Sequence, residues 1–145
     1  MKKNTDSEAP AELSSSDYDI SIGSQLNQWP VQLMLVPESA PYLTGADLLI
    51  CADCVPFAYG NFQLELLKGR VVIVGCPKLD NNEFYAEKLE RLFSNNDISS
   101  ITVAFMEVPC CSGLIRSVET ALSNSEVDIP LQKVRIGIAG EKEIL

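Results

Sequence analysis

Arg70-Val71-Val72-Ile73-Val74-Gly75 decides the fold, because it is the clearest strand signal in the chain. Four consecutive β-branched residues fit a pleated strand and lose side-chain freedom in a helix. Working outward, Asp47-Leu48-Leu49-Ile50-Cys51 is a second continuous apolar run of the kind buried parallel strands have. Ser100-Ile101-Thr102-Val103-Ala104-Phe105-Met106 and Val134-Arg135-Ile136-Gly137-Ile138 read as two more strands, and Val31-Gln32-Leu33-Met34-Leu35-Val36 as the first of the series. Between them lie helical patterns. Pro56 opens one at a position where a missing N–H costs nothing, with Ala58, Phe62 and Leu66 at helical spacing and Gly69 just past its end. Asp80 with Glu83 predicts a capping-box start to a helix whose buried stripe is Tyr85, Leu89, Leu92 and Phe93. Ser112-Gly113 opens a third, with Leu114, Ile115, Val118, Ala121 and Leu122 inward. Ser39 to Thr44 reads as a short helical or turn segment.

Alternating strands and helices predict an α/β fold of three layers, with a mostly parallel sheet of about five strands and helices on both faces, as in flavodoxin- or Rossmann-like arrangements. The connection from 31–36 to 47–51 is about ten residues, short for a parallel crossover, so the place of the first strand stays open. Residues 1–24 are polar and acidic and read as a disordered tail; Ile22, Leu26 and Trp29 suggest a short amphipathic lead-in, and 25–145 forms one domain.

The chain has 145 residues and a net charge of −9, with no Lys/Arg cluster. Phosphate backbones and anionic membrane surfaces repel such a surface, so neither nucleic acid nor membrane is expected as a partner. No apolar run has the length of a membrane span, and the N-terminus has no secretory signal pattern, so the expected location is cytoplasmic.

There are five Cys and no His. Lack of His excludes Ser-His-Asp and Cys-His catalysis within the chain and leaves thiolates and carboxylates as metal ligands. Cys51 and Cys54 end the 47–51 strand, Cys76 follows 70–75, and Cys110 and Cys111 follow 100–106. Carboxyl ends of parallel strands share one edge, where such folds bind ligands. Neighbouring strands lie about 4.8 Å apart, so thiols from three of them can converge. Thiolate donors select zinc, copper(I) or iron–sulfur clusters. Cys51 continues an apolar run and reads as core, while Cys54, Cys76 and at least one of Cys110 and Cys111 read as ligands. Gly75 and Gly113 would leave backbone N–H groups open to sulfur. Lys78 suits an anion or a solvated loop, Asp53 a helix cap, and Glu107 a brace for the 110–113 loop.

Trp29-Pro30-Val31-Gln32-Leu33, Ala46-Asp47-Leu48-Leu49-Ile50, Ala52-Asp53-Cys54-Val55-Pro56-Phe57-Ala58, Gly75-Cys76-Pro77-Lys78-Leu79-Asp80 and Met106-Glu107-Val108-Pro109-Cys110-Cys111 resemble a family of iron–sulfur binding, ferredoxin-like proteins of anaerobic prokaryotes. The resemblance spans about 25–145. It lacks the N-terminal module of two ferredoxin-type cysteine runs, has Ser112 in place of a second glycine, and has Gln63 where relatives often have His. A looser likeness is to the cluster-bearing small subunits of nickel–iron hydrogenases and of complex I. The resemblance implies that Cys54, Cys76, Cys110 and Cys111 hold one [4Fe-4S] cluster. It implies electron transport, as a carrier or relay subunit with a redox partner protein, rather than an enzyme's substrate chemistry. Two other readings of the residues stand beside it: a non-enzymatic scaffold or binding module whose cysteines hold zinc or are buried thiols, and a thiol–disulfide oxidoreductase using Cys51 and Cys54.

Overall fold

The strand at the centre of the apolar pattern, β1 (Asp47–Ala52), is buried from Leu48 onward and is flanked on both sides by parallel neighbours. Its partners are β2 (Val71–Gly75) and β3 (Ser100–Met106); β4 (Leu131–Ile136) extends the sheet from β3 in the same direction. A short strand, β5 (Lys142–Ile144), closes the order β2-β1-β3-β4-β5, antiparallel to β4. The computed structural model describes residues 21–145. The tail expected at 1–24 therefore lies outside the described residues up to 20, and 21–24 are exposed without regular structure.

Chain direction reverses across the sheet. The step from β1 to β2 goes one way, and those from β2 to β3 and β3 to β4 go the other. Right-handed crossovers then put the β1–β2 connection on one face and helices α2 (Asn82–Asn95) and α3 (Ser112–Ser125) on the opposite one. α2 and α3 pack against each other there, and Ser117 Oγ donates to Asn82 Oδ1 at 2.6 Å between them. The layered, mostly parallel α/β sheet expected from the strand runs is the architecture found.

Four local expectations are corrected. The 31–36 segment is not a strand: Gln32 makes a single parallel bridge to Val74, and Leu35 N and Val36 N then donate back to the Gln32 carbonyl at 2.8 and 2.9 Å. Leu33 and Val36 are buried and Leu35 is exposed, so the segment buries every third residue, which is turn spacing and not strand spacing. The helix expected from Pro56 is broken into α1 (Val55–Ala58) and a π-helical turn, Phe62–Leu67, with Gly60 between them removing helix propensity. Gly69 follows at φ +78°, as expected of a residue past a helix end. Asn81, not Asp80, caps α2, its Oδ1 accepting from Phe84 N at 3.1 Å. The lead-in at Ile22, Leu26 and Trp29 forms no helix; Leu26 packs on the core while Trp29 is exposed.

The outer flank of β2 is nonetheless sealed. Leu33 N donates to Val74 O and Val74 N to Val31 O, both at 2.8 Å, and the buried Gln28 side chain donates to Val72 O at 2.7 Å. At the other side of the sheet, Gly137 to Gly140 turns β4 into β5, with Gly140 at φ +96°.

Candidate functional site

All five cysteines are free, and they fall at the carboxyl ends of β2, β1 and β3, three consecutive positions in the sheet. Cys51 lies inside β1, opposite Val74 and Ala104, fully buried, with its Sγ donating to Ala52 O at 3.2 Å. Burial pushes its thiol far up, with Asp53 and Cys111 adding to the effect. Cys54 is exposed and immediately precedes α1; its Sγ donates to Asp53 Oδ1 at 3.6 Å. Cys76 is half-buried in the turn after β2. Cys110 and Cys111 lie in a single 3-10 turn, Pro109–Cys111, that runs into α3; Cys110 is exposed and Cys111 is only 6% exposed.

These thiols share one neighbourhood. The Cys54 thiol is raised first by desolvation and then by Asp53, and Cys76 and Cys110 raise it further. The Cys111 thiol is raised by burial, partly offset by the Met106 backbone, and Cys110 and Cys76 again raise it. Cys54, Cys76, Cys110 and Cys111 thus follow three adjacent strands of the sheet despite sequence separations of up to dozens of residues. Among the described residues, however, no three Cys, Asp or Glu side chains stand together as a preformed metal-ligand set. The donor set fits a thiolate-bound group in its chemistry, with four thiols and no imidazole, and in its placement on neighbouring strand ends.

The turn bearing Cys76 is built differently from expectation. Gly75 does not open backbone to sulfur. It makes room for Tyr85, since a Cβ there would lie 2.6 Å from the phenol oxygen. The Tyr85 hydroxyl accepts from Cys76 N at 2.9 Å and donates to Asp80 Oδ2 at 2.5 Å. Burial, and Asp80 after it, push that phenol up, so the hydroxyl keeps its proton. Leu79 N and Asp80 N both donate to the Cys76 carbonyl, at 3.1 and 3.0 Å. Gly113 likewise serves packing: a Cβ there would meet Pro77 Cβ at 3.1 Å and Asn82 Nδ2 at 3.0 Å. The Cys76 turn is thereby seated on the first turn of α3, beside Cys111. Sequence reasoning placed Tyr85 in the buried stripe of α2 and missed its hydroxyl. The available signal was that a buried tyrosine needs a polar partner, with Asp80 five residues upstream.

The secondary candidates are placed as follows. Asp53 does not cap a helix: α1 has no side-chain cap, and Asp53 N instead donates to Gly75 O at 3.1 Å. Glu107 does not brace the 110–113 loop; its Oε2 accepts from Ile138 N at 3.0 Å, joining the end of β3 to the turn after β4. Lys78 is exposed in the Cys76 turn.

Residues 40–145 match the family model described as a Rossmann-like domain. The chain belongs to the Rossmann-like domain family. It is also 31% identical over 119 residues to an "Uncharacterized protein" of Archaeoglobus fulgidus, covering 82% of this chain and 84% of that one. No solved structure matches. In this Rossmann-like domain the strand order reverses between β1 and β3, the switch point at which open α/β sheets hold ligands. The loops leaving those two strands carry Cys54 and Cys110-Cys111. The loop after β1, Asp53-Cys54-Val55-Pro56, contains no glycine and so lacks the turn that cradles a dinucleotide's phosphates. No helix among the described residues is long and apolar enough to cross a membrane.

Proposed function

We propose that this domain binds an iron–sulfur cluster, a [4Fe-4S] cluster by its donor count, through Cys54, Cys76, Cys110 and Cys111, and that it serves electron transport as a carrier or relay subunit in the cytoplasm. The observation that supports the reading is the placement of these four cysteines at the carboxyl ends of three adjacent strands, β2, β1 and β3. Such a group supplies a one-electron couple of its own. The protein's part is to hold it. Cys54 and Cys110 are exposed, while Cys76 is half-buried and Cys111 buried, so the rim would offer such a group two exposed and two packed thiols. Free cysteines suit a reducing compartment. The charge of −9 favours a redox partner with a basic face.

The test is anaerobic reconstitution with iron and sulfide. A brown protein with broad visible absorption and about four iron per chain is expected. A colourless, iron-free chain would remove the reading. The exposure of Phe57 (92%), on α1, and of Leu79 (79%) and Ile138 (68%), on the turns after β2 and β4, favours a second reading, a binding module whose rim contacts another protein and whose cysteines hold zinc or pack. Stoichiometric zinc without iron in protein from native cells is its signature. The redox-dithiol reading has the least support, because Cys51 is fully buried and burial holds its thiol far above the reactive range.

A further inference from the structure

We infer that Tyr85 is the positioning residue of the cysteine rim: its hydroxyl fixes the Cys76–Asp80 turn and so sets the direction in which Cys76 leaves β2. The inference rests on the reading of Cys76 as a rim thiol.

Tyr85 belongs to the buried stripe of α2 with Leu89, Leu92 and Phe93, and none of its side chain is exposed. Packing alone would be served by phenylalanine, without a hydroxyl to desolvate. The hydroxyl finds its partners in the turn, Cys76 N and Asp80 Oδ2, and not in the core around the ring. The Gly75 position is bare where any side chain would strike that oxygen at 2.6 Å. With Cys76 N–H held by Tyr85, and Cys76 C=O held by Leu79 N and Asp80 N, both backbone groups of the cysteine are tied. Only the rotation about its Cα–Cβ bond remains to aim the sulfur. Neither Cys54 nor Cys110 has such a clamp on its N–H among the hydrogen bonds of the described residues. The chain therefore holds one rim thiol by a side chain reaching up from the helix layer, and leaves its exposed neighbours to their own turns.

The experiment uses the metal-free full chain under anaerobic, reducing conditions. Iodoacetamide alkylation of each cysteine is followed by peptide mass spectrometry in wild type and Tyr85→Phe, which keeps the ring. Losing the hydrogen bond frees the turn, and the Cys76 rate should rise roughly fivefold to tenfold, the scale set by one buried hydrogen bond. Rates at Cys54 and Cys110 should stay within about twofold, and Cys51 should stay protected as a marker of the intact core. A Cys76 rate that is unchanged or lower overturns the inference. So does a rise shared by all five cysteines, which would mean general loosening and no positioning. Should Tyr85→Phe fail to fold, Gly75→Ala sets a methyl where the phenol oxygen lies and displaces the hydroxyl from Cys76 N, and the same selective rise at Cys76 is required. Because no metal is present, this result stands apart from reconstitution: a chain that takes up no iron but gives the selective rise keeps the clamp and loses the cluster.

Discussion

Cys51 and Cys54 stand three positions apart and meet opposite surroundings, one within a strand of the core and the other in an exposed turn. Replacing each should therefore have unlike consequences. Cys51→Ala removes a small buried sulfur and is expected to cost about 1 kcal/mol or less, leaving iron uptake intact. Cys54→Ala and Cys76→Ala should lose iron and visible absorption after reconstitution, and also the part of the folding free energy that metal binding contributes. Iron content and spectra of the five single alanine variants decide this, and iron loss in Cys51→Ala with retention in Cys54→Ala would invert the assignment. The burial of Cys51 and the exposure of Cys54 were legible in the sequence because the apolar run marks where β1 stops. The role of Tyr85 was not. Helical spacing reports that a side chain points inward but says nothing of where its polar tip ends, and the bonds that tip makes lie across a fold-dependent gap to the turn after β2.

Among the elements, the joint between the π-helical turn and β5 is held by one carboxylate. Glu65 accepts from Lys142 Nζ at 2.6 Å, from Asn61 Nδ2 at 2.5 Å and from the Tyr59 hydroxyl. These bonds, Lys142's first, hold Glu65 down to about 2. Its folded pKa thus lies below the unfolded value of roughly 4.3, so the stabilisation is present above that value and is lost as pH falls through the folded pKa. Unfolding midpoints of wild type and Glu65→Gln should differ at neutral pH and converge between roughly pH 4.3 and 2, by a margin that added salt narrows because the group is exposed. A gap that widens on acidification would contradict the assignment. This joint was invisible in the sequence. Lys142-Glu143-Ile144 is three exposed residues with no apolar period, and it becomes a strand only because β4 offers an edge. The strands β1 to β3 were readable for the opposite reason, since most of their side chains are buried in continuous runs, whereas β4 buries only Val134 and Ile136 and spans Leu131–Ile136, three residues earlier at its start than the 134–138 expected. The 31–36 segment misled because five of its six residues are apolar, and the burial of Leu33 and Val36 with Leu35 exposed distinguishes a turn from a strand.

On the scale of the whole molecule, the segment before β1 is part of the folded unit although it adds no strand. A chain beginning at Glu38 would lose Gln28, Leu33 and Val36, uncovering apolar surface and the carbonyls of Val72 and Val74 together. Loss of two buried apolar side chains is expected to lower stability by at least about 2 kcal/mol. Urea unfolding would measure it, and size-exclusion chromatography should show larger species. A shortened chain that is monomeric and equally stable would show that the segment is dispensable.

That sealed flank has a consequence for how copies of the chain can meet. A sheet grows by templating, each new strand docking on an unpaired edge and presenting a fresh edge of its own. Here one flank is stopped by a glutamine side chain and a single bridge, and the sheet ends on the other side in three residues of β5. Among the described residues β5 is the open edge, so two copies that paired there would each turn a covered flank outward, and such a pair would offer a fibre's ladder no described edge for a third copy.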